Sequence, residues 1–186
     1  SPRVFLEAMP RRLTLHKQTS DEFFASADQR TPRDFNFIFL DGLHTFSQTY
    51  KDLCNASAHL KPGGIILIDD VYPSDEPSSL PNQARSAEAK KLSGIKHRRW
   101  YGDVWRLLPY LTEELSGWDC VLMGLGGADH CQAVIFRTDN TASKLVFSSK
   151  RLEQMRLLDY VDVVESDQIQ SKLVMDNDAF ARVSEG

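Results

Sequence analysis

One block of the sequence constrains the fold more than any other. The run FNFIFL, Phe35 to Leu40, is continuously apolar apart from Asn36 and ends in Asp41; a second run, IILI, Ile65 to Ile68, ends in the adjacent carboxylates Asp69 and Asp70. Between them, His44 to Leu60 carries Phe46, Tyr50, Leu53, Ser57 and Leu60 at helical spacing, one face of an amphipathic helix. Lys61-Pro62-Gly63-Gly64 then stops it, because proline and glycine do not continue a helix. A strand, a helix and a strand, with both strands apolar enough to be buried on two faces, predict a parallel βαβ unit. Such crossovers are right-handed in nearly all cases, so Asp41, Asp69 and Asp70 fall at the same edge of one sheet.

The rest of the chain predicts what surrounds that unit. Arg12 to Gln18 (RLTLHKQ) alternates as a short strand does, and Ser20 opens SDEFFASA as a helix cap. Ser74 to Arg99 is polar and poorly periodic, the pattern of a lid or substrate loop beside the carboxyl end of a sheet. Asp103 is positioned to cap a helix whose apolar stripe is Val104, Leu107, Leu108, Leu111 and Leu115. WDCVLMGL and CQAVIFRT flank GGADH and predict an antiparallel pair at one end of the sheet. The tail, 141–186, reads as a helical extension with one amphipathic helix around RLEQMRLLDYV, packed on a domain spanning 1–140 or used in assembly.

Composition narrows the function classes. A chain of 186 residues supports one domain with a proper core. Its net charge of −4 argues against a general nucleic-acid or anionic-membrane surface. No run approaches the roughly 18 apolar residues of a membrane span, and no leader pattern opens the chain, so a cytoplasmic protein is expected. Cys54, Cys120 and Cys131 lack metal-ligand or disulfide spacing and read as reduced core thiols.

In open α/β sheets the site lies beyond the carboxyl ends of the strands. Neighbouring strands are about 4.8 Å apart, so Asp41, Asp69 and Asp70 can converge on one hard cation, Mg²⁺, Ca²⁺ or Mn²⁺. Successive strand residues point to opposite faces, so one acid of the pair would bind and the other orient it. His44 is a candidate general base, since imidazole titrates near neutral pH. The competing readings are that the acids cap turns and that His44 is a first-turn surface residue. Gly124 to Gly127 reads as a turn rather than a nucleotide loop, because a strand pattern follows it. Lys96, His97, Arg98 and Arg99 form either a solvated basic turn or an anion contact. A phosphoacceptor receiver, suggested by ILIDD, fails because a helix pattern around Glu113 and Glu114 occupies the place of its phosphorylated strand end.

FIFLDGLHTFSQTYKDLCNASAHLKPGGIILIDDV resembles the fourth-to-fifth-strand block of class I S-adenosylmethionine-dependent methyltransferases, and within them it is similar to metal-dependent small-molecule O-methyltransferases. With GDVWRLLPYL and the terminal hairpin, the resemblance covers most of residues 12–138. It implies an α/β, Rossmann-like methyltransferase sheet, mostly parallel, with a C-terminal antiparallel hairpin. It also implies methyl transfer from S-adenosylmethionine to a small-molecule acceptor, a hydroxyl, with Mg²⁺ assistance. Carried over by position, Asp41, Asp69 and Asp70 become metal ligands and His44 the base. Ser20 becomes an adenine contact, and Asp41 also lies on the cofactor side.

The family's first two strands, its glycine-rich loop and its ribose-binding acid have no counterpart before RLTLHKQ. The fourth strand is therefore expected to have a bare edge, and three arrangements would answer it: a fragment of a longer methyltransferase, a homodimer, or re-pairing of the remaining strands. A non-catalytic methyltransferase-like module used in assembly is the alternative function.

Overall fold

A computed structural model describes residues 14–30, 35–113, 115–124, 131–138 and 142–175. The chain divides into two compact units, Ser1–Pro32 and Arg33–Gly186. In the first, helix α1 spans Ser20–Arg30. Its cap is Thr19 rather than Ser20: the Thr19 hydroxyl accepts from the Glu22 backbone N–H at 3.2 Å, and the Glu22 carboxylate accepts from the Thr19 N–H at 2.8 Å. This reciprocal box satisfies two otherwise orphaned donors and moves Ser20 inside the helix. Of the predicted strand RLTLHKQ, Arg12 and Leu13 lie outside the described residues; residues 14–18 form no strand, and Leu15 is exposed.

The second unit contains the predicted βαβ block: β1 (Phe35–Leu40), α2 (Phe46–Ser57) and β2 (Leu60–Ile68). β1 and β2 are parallel, with Phe37 opposite Ile65 and Leu40 opposite Ile68. The Lys61-Pro62-Gly63-Gly64 stop lies inside the span of β2, where the register shifts between Phe35 and Phe37. Gly64 is required there, because a Cβ would sit 3.0 Å from the Asn36 carbonyl oxygen and 2.9 Å from Leu60. Phe46, Tyr50, Leu53 and Ser57, the predicted stripe, are all buried, as are Ile66 and Ile68. The core lies between this helix and that face of the sheet.

The sheet continues through β3 (Trp118–Gly124), β4 (Cys131–Arg137) and β5 (Leu173–Met175), in the order β1-β2-β4-β3-β5. The β3–β4 pair is antiparallel as expected, and β4 inserts antiparallel beside β2. β5 runs parallel to β3 at the far edge. The expectation of a mostly parallel sheet is therefore corrected to a mixed one. The hairpin return is the cause: β4 pairs with β2 on one side and β3 on the other, and both pairings are antiparallel. Among the described residues β1 forms the other edge; Phe37 is 53% and Phe39 46% exposed, so this strand is not buried on both faces as its apolar run predicted.

The segment read as a lid or substrate loop, Ser74 to Arg99, contains regular structure. It holds a short 3-10 turn, Glu76–Ser79, and a helix, α3 (Gln83–Leu92), whose cap Asn82 accepts from the Arg85 N–H. Periodicity missed α3 because its buried side chains are Ser86 and Lys90, not apolar ones. The predicted stripe Val104, Leu107, Leu108, Leu111 and Leu115 is buried, in a 3-10 turn (Val104–Leu107) leading into α4 (Leu108–Glu113).

In the tail, α5 (Ser149–Arg156) is followed by α6 (Tyr160–Val164) and α7 (Asp167–Lys172), each with its own Ser or Asp cap. Arg106 donates to the carbonyls of Met155, Arg156 and Leu158 at the end of α5, where a cation is favoured. Cys54, Cys120 and Cys131 are buried and form no disulfide among the described residues, and burial raises the thiols of Cys54 and Cys120 to about 12. The turn at Gly124 to Gly127 lies mostly outside the described residues. Among the described residues no helix is long and apolar enough to cross a membrane.

Candidate active site

The site is assembled from the two turns that follow β1 and β2. After Leu40 the chain passes through Asp41 and Gly42 to His44, which adopts φ 53° before α2 begins. After Ile68 one more ladder bond forms, Asp69 N–H to the Leu40 carbonyl at 3.0 Å. The Asp69 carboxylate then accepts from the Asp70 N–H at 2.9 Å, and Asp70 turns with φ 62°. A left-handed residue reverses where the next side chain would point in a regular strand, so the acid that faces the β1 turn is Asp70.

Two short distances define the centre. His44 Nδ1 lies 2.8 Å from Asp70 Oδ2, and His44 Nε2 lies 3.7 Å from Asp41 Oδ1. The first contact does not meet the angles of a hydrogen bond, so Nδ1 is a buried polar atom facing a carboxylate without one. The imidazole stacks on Trp100, ring centroids 4.9 Å apart and planes within 3°, and the indole N–H donates to the Leu80 carbonyl at 2.7 Å.

The backbone of His44 is clamped from the same side. Asp103 N–H donates to the His44 carbonyl at 3.2 Å, and Gly102, φ 65°, approaches so closely that a Cβ there would lie 1.8 Å from that oxygen. Contrary to the expectation from sequence, Asp103 does not cap the 3-10 turn that follows it; its Oδ1 accepts from the Phe46 N–H at 3.0 Å, capping α2 instead. The capping signal was legible, but its target lies across the fold.

Electrostatically the centre holds excess negative charge. Asp70 is raised to about 8, first by burial and then by the neighbouring carboxylates Asp69 and Asp41. Burial and two neighbouring carboxylates, all acting in one direction, leave a demand for positive charge if Asp70 is to ionise. Asp41, His44 and Asp70 each present a ligand atom, all within 4.8 Å of one another. Two cis ligands about 2.1 Å from an ion are about 3 Å apart, and the 2.8 Å between Nδ1 and Oδ2 matches that spacing. Two carboxylates and an imidazole are a donor set that could hold a divalent cation.

Of the sequence-predicted residues, Asp41, His44 and Asp70 are brought together, and Asp69 supports Asp70 through its backbone. Ser20 lies in the N-terminal unit, at the first turn of α1. Trp100 and Gly102 were not singled out, and no local pattern links either of them to His44.

Residues 3–71 match the family model described as a methyltransferase domain. No curated protein matches the chain. The matched segment runs through β1, α2 and β2 and includes Asp41, His44, Asp69 and Asp70. Over that segment the chain is similar to a methyltransferase domain.

Proposed function

We propose that the chain carries the acceptor side of a methyl transfer from S-adenosylmethionine to a hydroxyl of a small molecule, assisted by a divalent cation. The observation that supports this best is the convergence of Asp41, His44 and Asp70 at the carboxyl ends of the two parallel strands. A sulfonium donor supplies the methyl group, and a divalent cation supplies a Lewis acid that lowers the hydroxyl's pKa. Asp41 and Asp70 would hold the cation, with Asp69 fixing the Asp70 backbone. Asp70 also faces Nδ1 of His44, which leaves Nε2 to take the acceptor's proton. Trp100 holds the ring plane and Gly102 with Asp103 holds the backbone, so the proton acceptor is aligned before reaction. Ser20 belongs to this reading as an adenine contact, a homodimer would cover the β1 edge, and the setting would be cytoplasmic.

A second reading is favoured by one observation: Nδ1 is buried without a hydrogen bond, as a third cation ligand would be. Calorimetric titration with S-adenosylmethionine, with and without Mg²⁺, together with Mn²⁺-dependent melting, tests the proposal. Heat from the sulfonium and a melting shift from the cation are expected, the latter reduced in Asp70→Asn. In His44→Gln the first reading keeps the cation shift, and the second loses it. Neither heat nor shift in the unaltered chain would overturn both and leave the non-catalytic assembly module.

A further inference from the structure

We propose that the groove between α3 and residues 95–100 is an anion subsite that seats a phosphoryl group carried on an apolar body. It deepens the methyl-transfer reading by giving the acceptor's chemical class, and it rests on that reading only for calling the bound anion an acceptor. The groove encloses about 590 Å³ and is lined by Ser86, Lys90, Lys91, Lys96, Arg98 and Trp100, among others. That volume is in the range of small-molecule sites.

Its charge is opposite to that of the chain. Four permanent cations line it and none of its lining residues is acidic, whereas the whole chain carries −4. The cations are not equivalent. Lys90 is buried and its ammonium donates to the Arg99 carbonyl, so it forms part of the wall. Asp75, just outside the lining, pairs with His97 at 2.9 Å and acts on Lys90 as well. Lys91, Lys96 and Arg98 are exposed and, among the described residues, form no ion pair. Three uncompensated cations exceed what a single carboxylate neutralises and match a phosphate dianion.

Two further observations give the site a floor and a direction. Ser86 lines the groove at 1% exposure, and among the described residues its hydroxyl has no hydrogen-bond partner, which is unusual for a buried group. Ala84, Ala87, Ile95 and the Trp100 indole supply apolar surface for the body that carries the anion. Trp100 is also the ring on which His44 stacks, so one side chain is common to the groove and to the acidic centre. An anion held by Lys91, Lys96 and Arg98 would thus present its apolar body toward the Asp41–His44–Asp70 turn.

The test uses the whole chain without S-adenosylmethionine or metal, with phenyl phosphate as the probe. Binding is read by calorimetry and by the indole N–H resonance of Trp100. Phenyl phosphate is expected to bind and to shift that resonance, with affinity falling about five-fold between roughly 50 and 300 mM NaCl. Benzoate and inorganic phosphate should each bind several-fold more weakly, lacking the second charge and the apolar body respectively. The triple variant Lys91→Gln, Lys96→Gln, Arg98→Gln should lose about ten-fold in affinity while its melting midpoint stays within about 2 °C, since exposed charges contribute little to stability. Absence of binding at millimolar phenyl phosphate, equal binding of benzyl alcohol or of inorganic phosphate, or an unaffected triple variant would each overturn the proposal. Anion binding that persists when S-adenosylmethionine gives no heat counts against the methyl-transfer reading alone. The converse pattern counts against the subsite alone.

Discussion

Asp70 and Asp75 bracket the same short stretch after β2, and the protein treats them in opposite ways. Burial raises both carboxyls. At Asp75 that influence, the largest single one, is outweighed by hydrogen bonds from the Ser78 hydroxyl and N–H, the Ser74 hydroxyl and His97, and the group ends below its ordinary value. At Asp70 burial is joined by the negative charges of Asp69 and Asp41, and the group rises to about 8. Asp75 is a cap whose charge the fold answers from within. Asp70 is an acid whose charge must be answered by His44 or by something bound. Two neighbouring aspartates of similar sequence surroundings are thus told apart by the donors around them, not by residue type.

Four changes break or sharpen this comparison. Gly102→Ala should do the most damage, because a Cβ would enter the His44 carbonyl and the residue would keep a positive φ. A loss of about 3 kcal/mol or more, roughly 10 °C in melting midpoint, is expected by thermal denaturation. Asp75→Ala removes the acceptor of Ser78, Ser74 and His97 and the cap of the 76–79 turn, and should cost about 2 kcal/mol in chemical denaturation.

Asp70→Asn should act with the opposite sign. A carboxyl raised from 3.8 to about 8 on folding binds more protons folded than unfolded, so stability falls as pH rises across that window. Removing the charge, at a left-handed position that asparagine tolerates, should stabilise the metal-free chain by about 1–2 kcal/mol at pH 8 and by little at pH 4. Equal melting of the two chains at both pH values would refute the charge excess. Asn82→Ala, an ordinary cap of α3, should cost about 0.5–1 kcal/mol with no pH dependence between pH 5 and 8.

The same contrast explains what the sequence made legible. The β1–α2–β2 unit was readable because its burial is apolar and periodic, and Asp41 and Asp70 followed from the parallel pairing. α3 was not, since Ser86 and Lys90 are what it buries. The cap at Asp103 was readable as a cap but not as that of α2, because its partner, Phe46, is remote in the chain. The insertion of β4 between β2 and β3 is a matter of pairing, which alternation within a strand does not encode. Trp100 meets His44 by direct ring stacking, a tertiary contact between residues remote in the chain.

His44 and Asp70, the two non-glycine residues with positive φ among those described, face each other across the centre. A chain improved for thermal stability alone would accept glycine at both places, since only glycine occupies that region without a steric penalty. Stabilisation that places glycine at these two positions would therefore remove the side chains of the candidate site. Retention of His and Asp at these two positions in stabilised variants becomes a simple criterion for whether engineering has preserved chemistry or only the fold.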